Sequence, residues 1–531
     1  MFIDKRDKRV FHIREGNIED AYAFVTSLLS RQDINKITAD ETLLIFEALM
    51  QSLVDWGLDE DTDLDISCAD MLGDFRIRIG FEGKVFAFND KETRSIENQI
   101  LDAYEDKLDY SYRSGYNAIT ISVSRSRSTS LLICAIASLC AVILYIPFSH
   151  FIDTSAQKHL LDAYVLPIET MYTNALLMVG APMTLFSLLK NLTDTFVLSQ
   201  RHSGVRQLQV QTLVTSVLSV LLAFLGFFLL SITLLSDWGA SSAELGSAVN
   251  RTFAEVVTSF VPSNILEPFQ TISPIPLMVV ALLSTYALCS AGKYFDFLRH
   301  AMMACYTLFS RMLHVLIAML PVFCFLSILD VLLDAGIEWV ALDLFCIIAI
   351  YLGFILLFAT YAIRLRARGI KVIPFVRTLI PLLAENARIG SAINAAPYNI
   401  RYCARNFKMN KTMLENDMPV LAEINLDGNC FILTSIALIF VFTTDTYLLW
   451  VGYVGLGLLV LFLSYGAPNQ PGSILIGTLL LTMYLDSFDV VCLAIFCEAF
   501  LGSAQNLINV IGDIVMVAVE DSKQKAALAG E

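Results

Sequence analysis

Charge is scarce in this chain. Only 16% of its 531 residues are Asp, Glu, Lys or Arg, and residues 128–152, 207–236, 268–292, 344–363 and 446–485 contain none of the four. A single water-soluble globule of this size needs charge spread over its surface, so that class is excluded. About 20 apolar residues cross a bilayer as a helix, and several of these runs are that long or longer. Most of the chain is therefore predicted to be an all-α polytopic membrane protein. The N-terminus lacks an apolar leader: MFIDKRDKRVFHIREGNIED is charged along its length, which predicts no cleaved signal peptide. The eleven cysteines include no CxxC pair and lie mostly in apolar runs (Cys134, Cys140, Cys305, Cys346). They read as small buried hydrophobes, with neither a disulfide nor a metal cluster expected. No nucleophile–base pair and no phosphate-cradling loop is visible, which argues against a membrane enzyme.

What charge there is lies largely ahead of the first apolar run. Residues 1–123 hold 25 Asp and Glu against 14 Lys and Arg, most of the net −15 of the whole chain. An acidic segment of mixed composition reads as a folded soluble domain and excludes a nucleic-acid partner. Within it, ADETLLIFEALMQSLVDWG places Leu43, Phe46, Leu49, Leu53 and Trp56 at helical spacing. The alternating stretches FRIRIGFEGKVFAFN and YNAITISVS read as strands, so a small α/β cytoplasmic domain is predicted. Its helix and closing SGYNAITISV resemble the ATPase-like fold of histidine kinases and anti-sigma factors. Gln51 stands where that fold has a metal-binding Asn, and a DxGxG loop is missing, so ATP hydrolysis is not expected. A regulatory or assembly role and an inert fusion remain the alternatives.

Lys and Arg mark cytoplasmic loops. They cluster at Arg125/Arg127, Arg201/Arg206, Lys293/Arg299, Arg364–Arg377, Arg401–Lys411 and Lys523/Lys525, while the intervening loops carry one or none. The alternation gives eight spans, near 129–150, 163–196, 207–236, 268–292, 303–329, 342–363, 419–445 and 488–518. Both termini are then cytoplasmic, in a multi-pass protein of the plasma or inner membrane, with residues 521–531 as a cytoplasmic tail.

Two further apolar stretches do not fit as spans. One, FVRTLIPLLAENARIGSAINAAPYNIRYCARNFK, lies between the sixth and seventh; the other, LWVGYVGLGLLVLFLSYGAPNQPGSILIGTLLLTMYL, lies between the seventh and eighth. Each is interrupted at its centre by small residues, Asn and Pro (GSAINAAP, YGAPNQPG), and each has both ends on one side. They read as re-entrant helical hairpins, since irregular backbone at membrane depth persists only against protein or a watery cavity. Each precedes a span bearing polar residues: Asn425 and Asp427 after the first, Asn509 and Asp513 after the second. An inverted repeat of hairpin plus polar helix points to a secondary transporter.

At these residues the sequence resembles the dicarboxylate/amino acid:cation symporters, the glutamate/aspartate transporter-like family. NLDG at 425–428 matches the family's NMDG, NVIGD at 509–513 its NxxGD, VTS at 214–216 its third-span LTS, and FVPSNI at 260–265 the VPTN that opens its fourth span. The resemblance runs through residues 128–520. It implies a homotrimer whose protomers each have a scaffold and a sliding transport domain, moving a small-molecule substrate across the lipid bilayer. It also implies sodium sites at Thr215, Ser216, Asn425, Asp427, Asn509 and Asp513. The chemistry agrees, because a hard cation wants oxygen ligands, and ionisable groups at membrane depth are functional by default.

The substrate positions depart from the family. The Asp that takes an amino group and the Arg that takes a side-chain carboxylate are replaced by Gly502 and Gln505, and the Thr that follows by Asn506. The serine-rich hairpin tip becomes SAINA at 391–395, keeping Ser391, and the Thr after NMDG becomes Asn429. Without the Arg fork and the Asp countercharge, the site is expected to favour a polar or singly charged solute. Its candidate contacts are Ser391, Asn394, Asn429, Asn469, Gln505, Asn506 and Asn509, with Glu498, one turn before Gly502, a candidate replacement for the missing Asp. Glu423 precedes Asp427 by four residues, which on a continuous helix puts both carboxylates on one face. It is the candidate proton site, so that H+ joins Na+ as a coupling ion; the alternative is a wet vestibule. Two other readings stay open: a transporter-derived membrane sensor signalling through the N-terminal domain, and an uncoupled anion pore.

Overall fold

The computed structural model describes residues 8–12, 15–31, 36–56, 58, 62–71, 74–84, 86, 101, 108–113, 115–124, 131–201, 205–230, 261–334, 336–443, 450–466, 472–485 and 491–530. The chain divides into two compact units, Met1–Arg127 and Ser128–Glu531.

Among its described residues, the first unit is a five-stranded antiparallel sheet with two long helices on it. In chain order it runs β1 (Lys8–His12), α1 (Glu15–Arg31), α2 (Lys36–Asp55), β2 (Asp63–Met71), β3 (Asp74–Glu82), β4 (Leu108–Arg113) and β5 (Tyr116–Ser124). Sheet order is β1-β2-β3-β5-β4. The alternation read in FRIRIGF and YNAITISV is what builds the core. Ile66 pairs with Ile79, Ile79 with Ile119 and Ile119 with Tyr110, so one apolar row crosses four strands. Phe46, Leu49 and Leu53 of α2 are buried with that row, and so are Phe24, Val25, Leu28 and Leu29 of α1. The unit is thus the small α/β domain expected, with α1, β1, β2 and β4 added.

The second unit is helical. It comprises α3 (Leu131–Phe151), α4 (Thr154–Leu160), a π turn (Leu161–Val165), α5 (Leu166–Arg201), α6 (Val205–Leu230), α7 (Glu267–Gln270), α8 (Pro274–Cys289), α9 (Phe295–Ala318), α10 (Leu320–Asp334), α11 (Ile337–Ala367), α12 (Val372–Ile389), α13 (Ala392–Tyr402), α14 (Lys411–Ile424), α15 (Asp427–Thr443), α16 (Trp450–Gly466), α17 (Ser473–Leu485) and α18 (Val491–Gly530). Among the described residues, seven helices are long and apolar enough to cross a membrane, and the shorter α8 and α16 are also apolar. Ile133, Ile136, Leu139, Ile143 and Ile146 of α3 stay exposed, as a helix apolar all round does when its outer face meets lipid. The α14–α15 segment is buried along its whole apolar window. The protein is a polytopic helical membrane protein preceded by a small α/β domain.

Boundaries depart from expectation where proline or an extended residue intervenes. The fifth expected span is two helices, α9 and α10, meeting at Met319. Pro321 has no N–H to continue the ladder but fits the first turn of a new helix. The helix of the eighth expected span continues through Gly530. Near its end Asp521 accepts from the Asn410 N–H at 3.0 Å and Lys525 donates to the Lys408 carbonyl at 3.0 Å.

The first interrupted stretch forms α12 and α13, separated by Gly390 and Ser391. Gly390 has φ +71°, a left-handed conformation that ends α12 without Cβ strain. Across the turn Asn386 and Asn399 exchange amide hydrogen bonds, Asn386 Nδ2 donating at 2.7 Å and Asn399 Nδ2 at 3.1 Å. Both are buried, so each satisfies the other where water is absent. The second stretch forms α16 and α17, both packed on α5 and α15; its central residues 467–471, with Asn469, lie outside the described residues.

Removing one partner of the asparagine pair strands the other. Asn386→Ala is expected to destabilise the detergent-purified protein by about 1–3 kcal/mol, read as a lower melting temperature. The double variant Asn386→Ala/Asn399→Ala should cost less than the two single losses added together.

Candidate functional site

The site begins where a helix stops. α14 ends at Ile424, Asn425 is extended (φ −90°, ψ 103°), and α15 starts at Asp427. A broken helix inside a membrane protein exposes carbonyls at one end and N–H groups at the other, and these need partners. The partners come from α18. Asn425 Nδ2 donates to Asp513 Oδ1 at 2.9 Å and to the Asn509 carbonyl at 3.4 Å, while Asn509 Oδ1 accepts from the Gly428 N–H at 2.8 Å. Asp427, at the N-terminus of α15 where the helix dipole favours an anion, accepts from the Tyr361 hydroxyl of α11 at 3.0 Å. The hydroxyls of Thr215 and Ser219 on α6 also lie against the Asp427 carboxylate. One turn along α15, Ser216 and Ser464 lie against Cys430.

Two glycines make this closeness possible. A Cβ on Gly512 would sit 2.6 Å from Asn425 Nδ2 and 3.3 Å from Asp427 Oδ2. A Cβ on Gly428 would sit 2.6 Å from the Gln505 carbonyl oxygen. At the G in NLDG α15 comes up against the backbone of α18, and at the G in NVIGD α18 leaves room for the side chains of Asn425 and Asp427.

Glu498, Gly502, Gln505, Asn509 and Gly512 recur at intervals of three and four, one stripe of α18, with Asp513 next to Gly512. Along it, Gln505 Oε1 accepts from the Ser473 hydroxyl at 2.7 Å. Glu498 accepts from the backbone N–H groups of Gly472 at 2.8 Å and Leu475 at 3.1 Å. Ser391 is buried at the turn of the first hairpin, and that hairpin's second helix packs against α18. Asn506 is half-buried. Asn394 lies in the first turn of α13, and its side chain is outside the described residues.

Several buried polar atoms here have no hydrogen-bond partner: Asn425 Oδ1, Asp427 Oδ1, Ser216 Oγ, both amide atoms of Asn429, and Asn506 Nδ2. Leaving such a group unmet costs about 1–3 kcal/mol, so a cluster of them calls for a missing partner. Orphaned oxygens from an amide, a carboxylate and a hydroxyl are what a hard cation requires, and the donor set fits sodium. Of the residues expected to hold it, Thr215, Asn425, Asp427, Asn509 and Asp513 meet at the helix break, with Ser216 alongside on α6.

Glu423 has a different setting from the one expected. The extended Asn425 separates it from α15, so the helical i,i+4 relation to Asp427 does not apply. Its Oε1 lies 3.0 Å from Lys190 Nζ of α5. Lys190 also pairs with Asp194 at 3.2 Å, which pairs with Arg299 of α9 at 3.0 Å. The sequence analysis does not single out Lys190, although a cation inside an apolar helix calls for carboxylate partners. Tyr361 gave no comparable signal.

The sequence model of the sodium:dicarboxylate symporter family matches residues 132–522. The chain belongs to the sodium:dicarboxylate symporter family. The match covers the whole helical unit apart from its ends and contains every motif on which the resemblance rested. A comparison with curated proteins gives no significant match.

The close approach at Gly512 yields a direct expectation. Gly512→Ala should weaken sodium binding about tenfold or more, the effect of about 1.4 kcal/mol, in calorimetric titration of the purified protein with NaCl. Sodium affinity equal to wild type would mean that Asn425 and Asp427 do not form the cation site.

Proposed function

We propose that the membrane unit is a secondary active transporter coupling sodium to the uptake of a small polar organic solute of the dicarboxylate/amino acid class. The observation that carries this reading is the set of orphaned oxygens at a helix break bridged by Asn425–Asp513 and Gly428–Asn509. Thr215, Ser216, Asn425, Asp427, Asn509 and Asp513 would hold sodium. Bound there, the cation neutralises buried carboxylates and ties α15 to α18. The solute would lie beside it, against Ser391, Asn429, Gln505 and Asn506, the α12–α13 and α16–α17 pairs entering the membrane from opposite sides as re-entrant hairpins.

Access would alternate by sliding of α6 and α11–α18 against a scaffold of α3, α5 and α8–α10, in a homotrimer with both termini cytoplasmic. Family membership supports that arrangement, as does the placement of Thr215, Ser216, Asn425, Asp427, Asn509 and Asp513 within the one group of α6 and α11–α18. The Glu423–Lys190 pair would then join the two groups, which favours a positioning role for Glu423 over proton carriage. The N-terminal unit is read as a non-catalytic regulatory or assembly domain.

Flux separates this reading from a sensor that shares the same site. Purified protein in proteoliposomes should accumulate a labelled polar solute under an inward sodium gradient and not under a potassium gradient. Asp427→Asn should reduce that uptake at least about tenfold, on the scale of a lost charge-assisted interaction. Sodium-dependent solute binding without uptake would overturn transport in favour of sensing. Replacing Glu423 with Gln should leave the pH profile of uptake unchanged in shape; loss of a pH-dependent limb would restore it as a proton site.

A further inference from the structure

The run YAIRLRAR at 361–368, near the end of α11, holds three arginines, and they do not share one environment. Arg366 and Arg368 are exposed, as charge at the end of a membrane helix is expected to be. Arg364 is half-buried, and its Nη1 lies inside the protein without a hydrogen-bond partner. Spacing explains the difference. Arg364 follows Tyr361 by three residues, so the two share a face of the helix. Tyr361 is the residue whose hydroxyl donates to Asp427 Oδ2 at 3.0 Å. That face is therefore turned to the helix break, and α11 packs against both α6 and α18, which carry the other groups of the site. The Arg364 guanidinium lies within electrostatic range of Asp427 and of the Tyr361 hydroxyl.

Charge at the break does not balance without this residue. Asp427 and Asp513 are both buried. The side chains against their carboxylates are neutral: Tyr361, Thr215 and Ser219 at Asp427, and Asn425 at Asp513. Two buried carboxylates call for two positive charges, since a buried charge without a countercharge is costly. An arginine stays protonated in any protein setting, so Arg364 is one such charge and a permanent one. Its unpaired Nη1 is a donor without an acceptor, and Asp427 Oδ1 is an acceptor without a donor. The two are complementary, and a change of arginine rotamer is the movement that would join them.

We propose that Arg364 is a built-in counter-cation of the sodium site: it offsets one of the two buried carboxylates and takes Asp427 Oδ1 when sodium leaves, so that sodium binds in competition with it. The inference rests on the transporter reading above and deepens it. A sodium-free site with both carboxylates charged would be unstable in the membrane, and an arginine that moves onto Asp427 lets the empty protein keep the α15–α18 contact. Sodium then has to displace a tethered charge, which lowers its affinity and speeds its release. Arg366 and Arg368, one and two residues beyond this face and exposed, are not expected to share the role.

The test is calorimetric titration of the full-length protein with NaCl, ionic strength being held constant with choline chloride. Arg364→Gln should bind sodium at least about tenfold more tightly than wild type. Its melting temperature should fall in choline and recover in sodium. Arg364→Lys, which keeps the charge, should stay within about threefold of the wild-type affinity, and so should Arg366→Gln. A residue that only supports the fold would lower stability in both salts and leave sodium affinity unchanged or weaker. A second measurement needs no variant. In wild type, modification of Arg364 by phenylglyoxal, read by mass spectrometry against Arg366 and Arg368, should be slower in choline than in sodium, because Asp427 then holds the guanidinium. Unchanged or weaker sodium affinity in folded Arg364→Gln, an equal gain in Arg366→Gln, or modification no slower in choline would each overturn the proposal. Sodium binding by wild type separates the failures. If wild type binds sodium and these results fail, only the role of Arg364 is lost, whereas absence of sodium binding removes the transporter reading as well.

Discussion

The structure of the membrane unit depends on one break, the extended residue Asn425 between α14 and α15. In a bilayer, backbone groups freed by such a break have no water to turn to. Here the Gly428 N–H is met by the Asn509 side chain of α18, and the side chain of Asn425 itself crosses to Asp513. That requirement fixes the neighbours in turn. α18 must approach closely enough to need glycine at 512 and 428, α11 must supply Tyr361, and α6 must lay Thr215 and Ser216 alongside. A site assembled this way leaves buried oxygens unpaired, which is what a small cation would fill.

Charge elsewhere in the membrane unit follows the same logic of local satisfaction. Lys190, Glu423, Asp194 and Arg299 form a continuous chain of ion pairs linking α14, α5 and α9. Glu498 is met by the start of α17, and Asn386 and Asn399 meet each other. Burying a paired charge contributes little net stability, but breaking such a pair is costly. These contacts therefore specify arrangement more than they add stability. The chain Lys190–Glu423 ends two residues before Asn425, so the position of α14 against α5 bears directly on the helix break.

Much of this was legible in the sequence, and the residues show why. Charge-free runs gave the membrane class because bilayer thickness sets helix length. NLDG and NVIGD predicted partners 84 residues apart that the fold does bring together, since a short motif carries the local backbone it needs. Pairings set by tertiary packing alone were not legible. Nothing near Glu423 names Lys190, 233 residues away, and the expected neighbour Asp427 presumed a helix that the break removes. Gly502 reads in the sequence only as a missing countercharge, and its closeness to Glu498, whose Oε1 would lie 2.8 Å from a Cβ there, is set by the side-chain conformation. In the N-terminal unit, α1 carries Ala21, Phe24, Val25, Leu28 and Leu29 at helical spacing, and β2 alternates Leu64, Ile66 and Cys68. Both patterns are short and flanked by charge, so they stood out less than α2 and β3.

The account stands or falls on whether the oxygens around Asn425 and Asp427 take a cation. The most direct measurement is the melting temperature of the detergent-purified protein in sodium against potassium and choline at equal ionic strength. A ligand that binds only the folded state at 100 times its Kd adds about 2.7 kcal/mol, so selective stabilisation by sodium, absent in Asp427→Asn/Asp513→Asn, is the expected result. Identical melting in all three salts, at concentrations up to those of physiological sodium, would contradict the account and leave the buried carboxylates with a structural role.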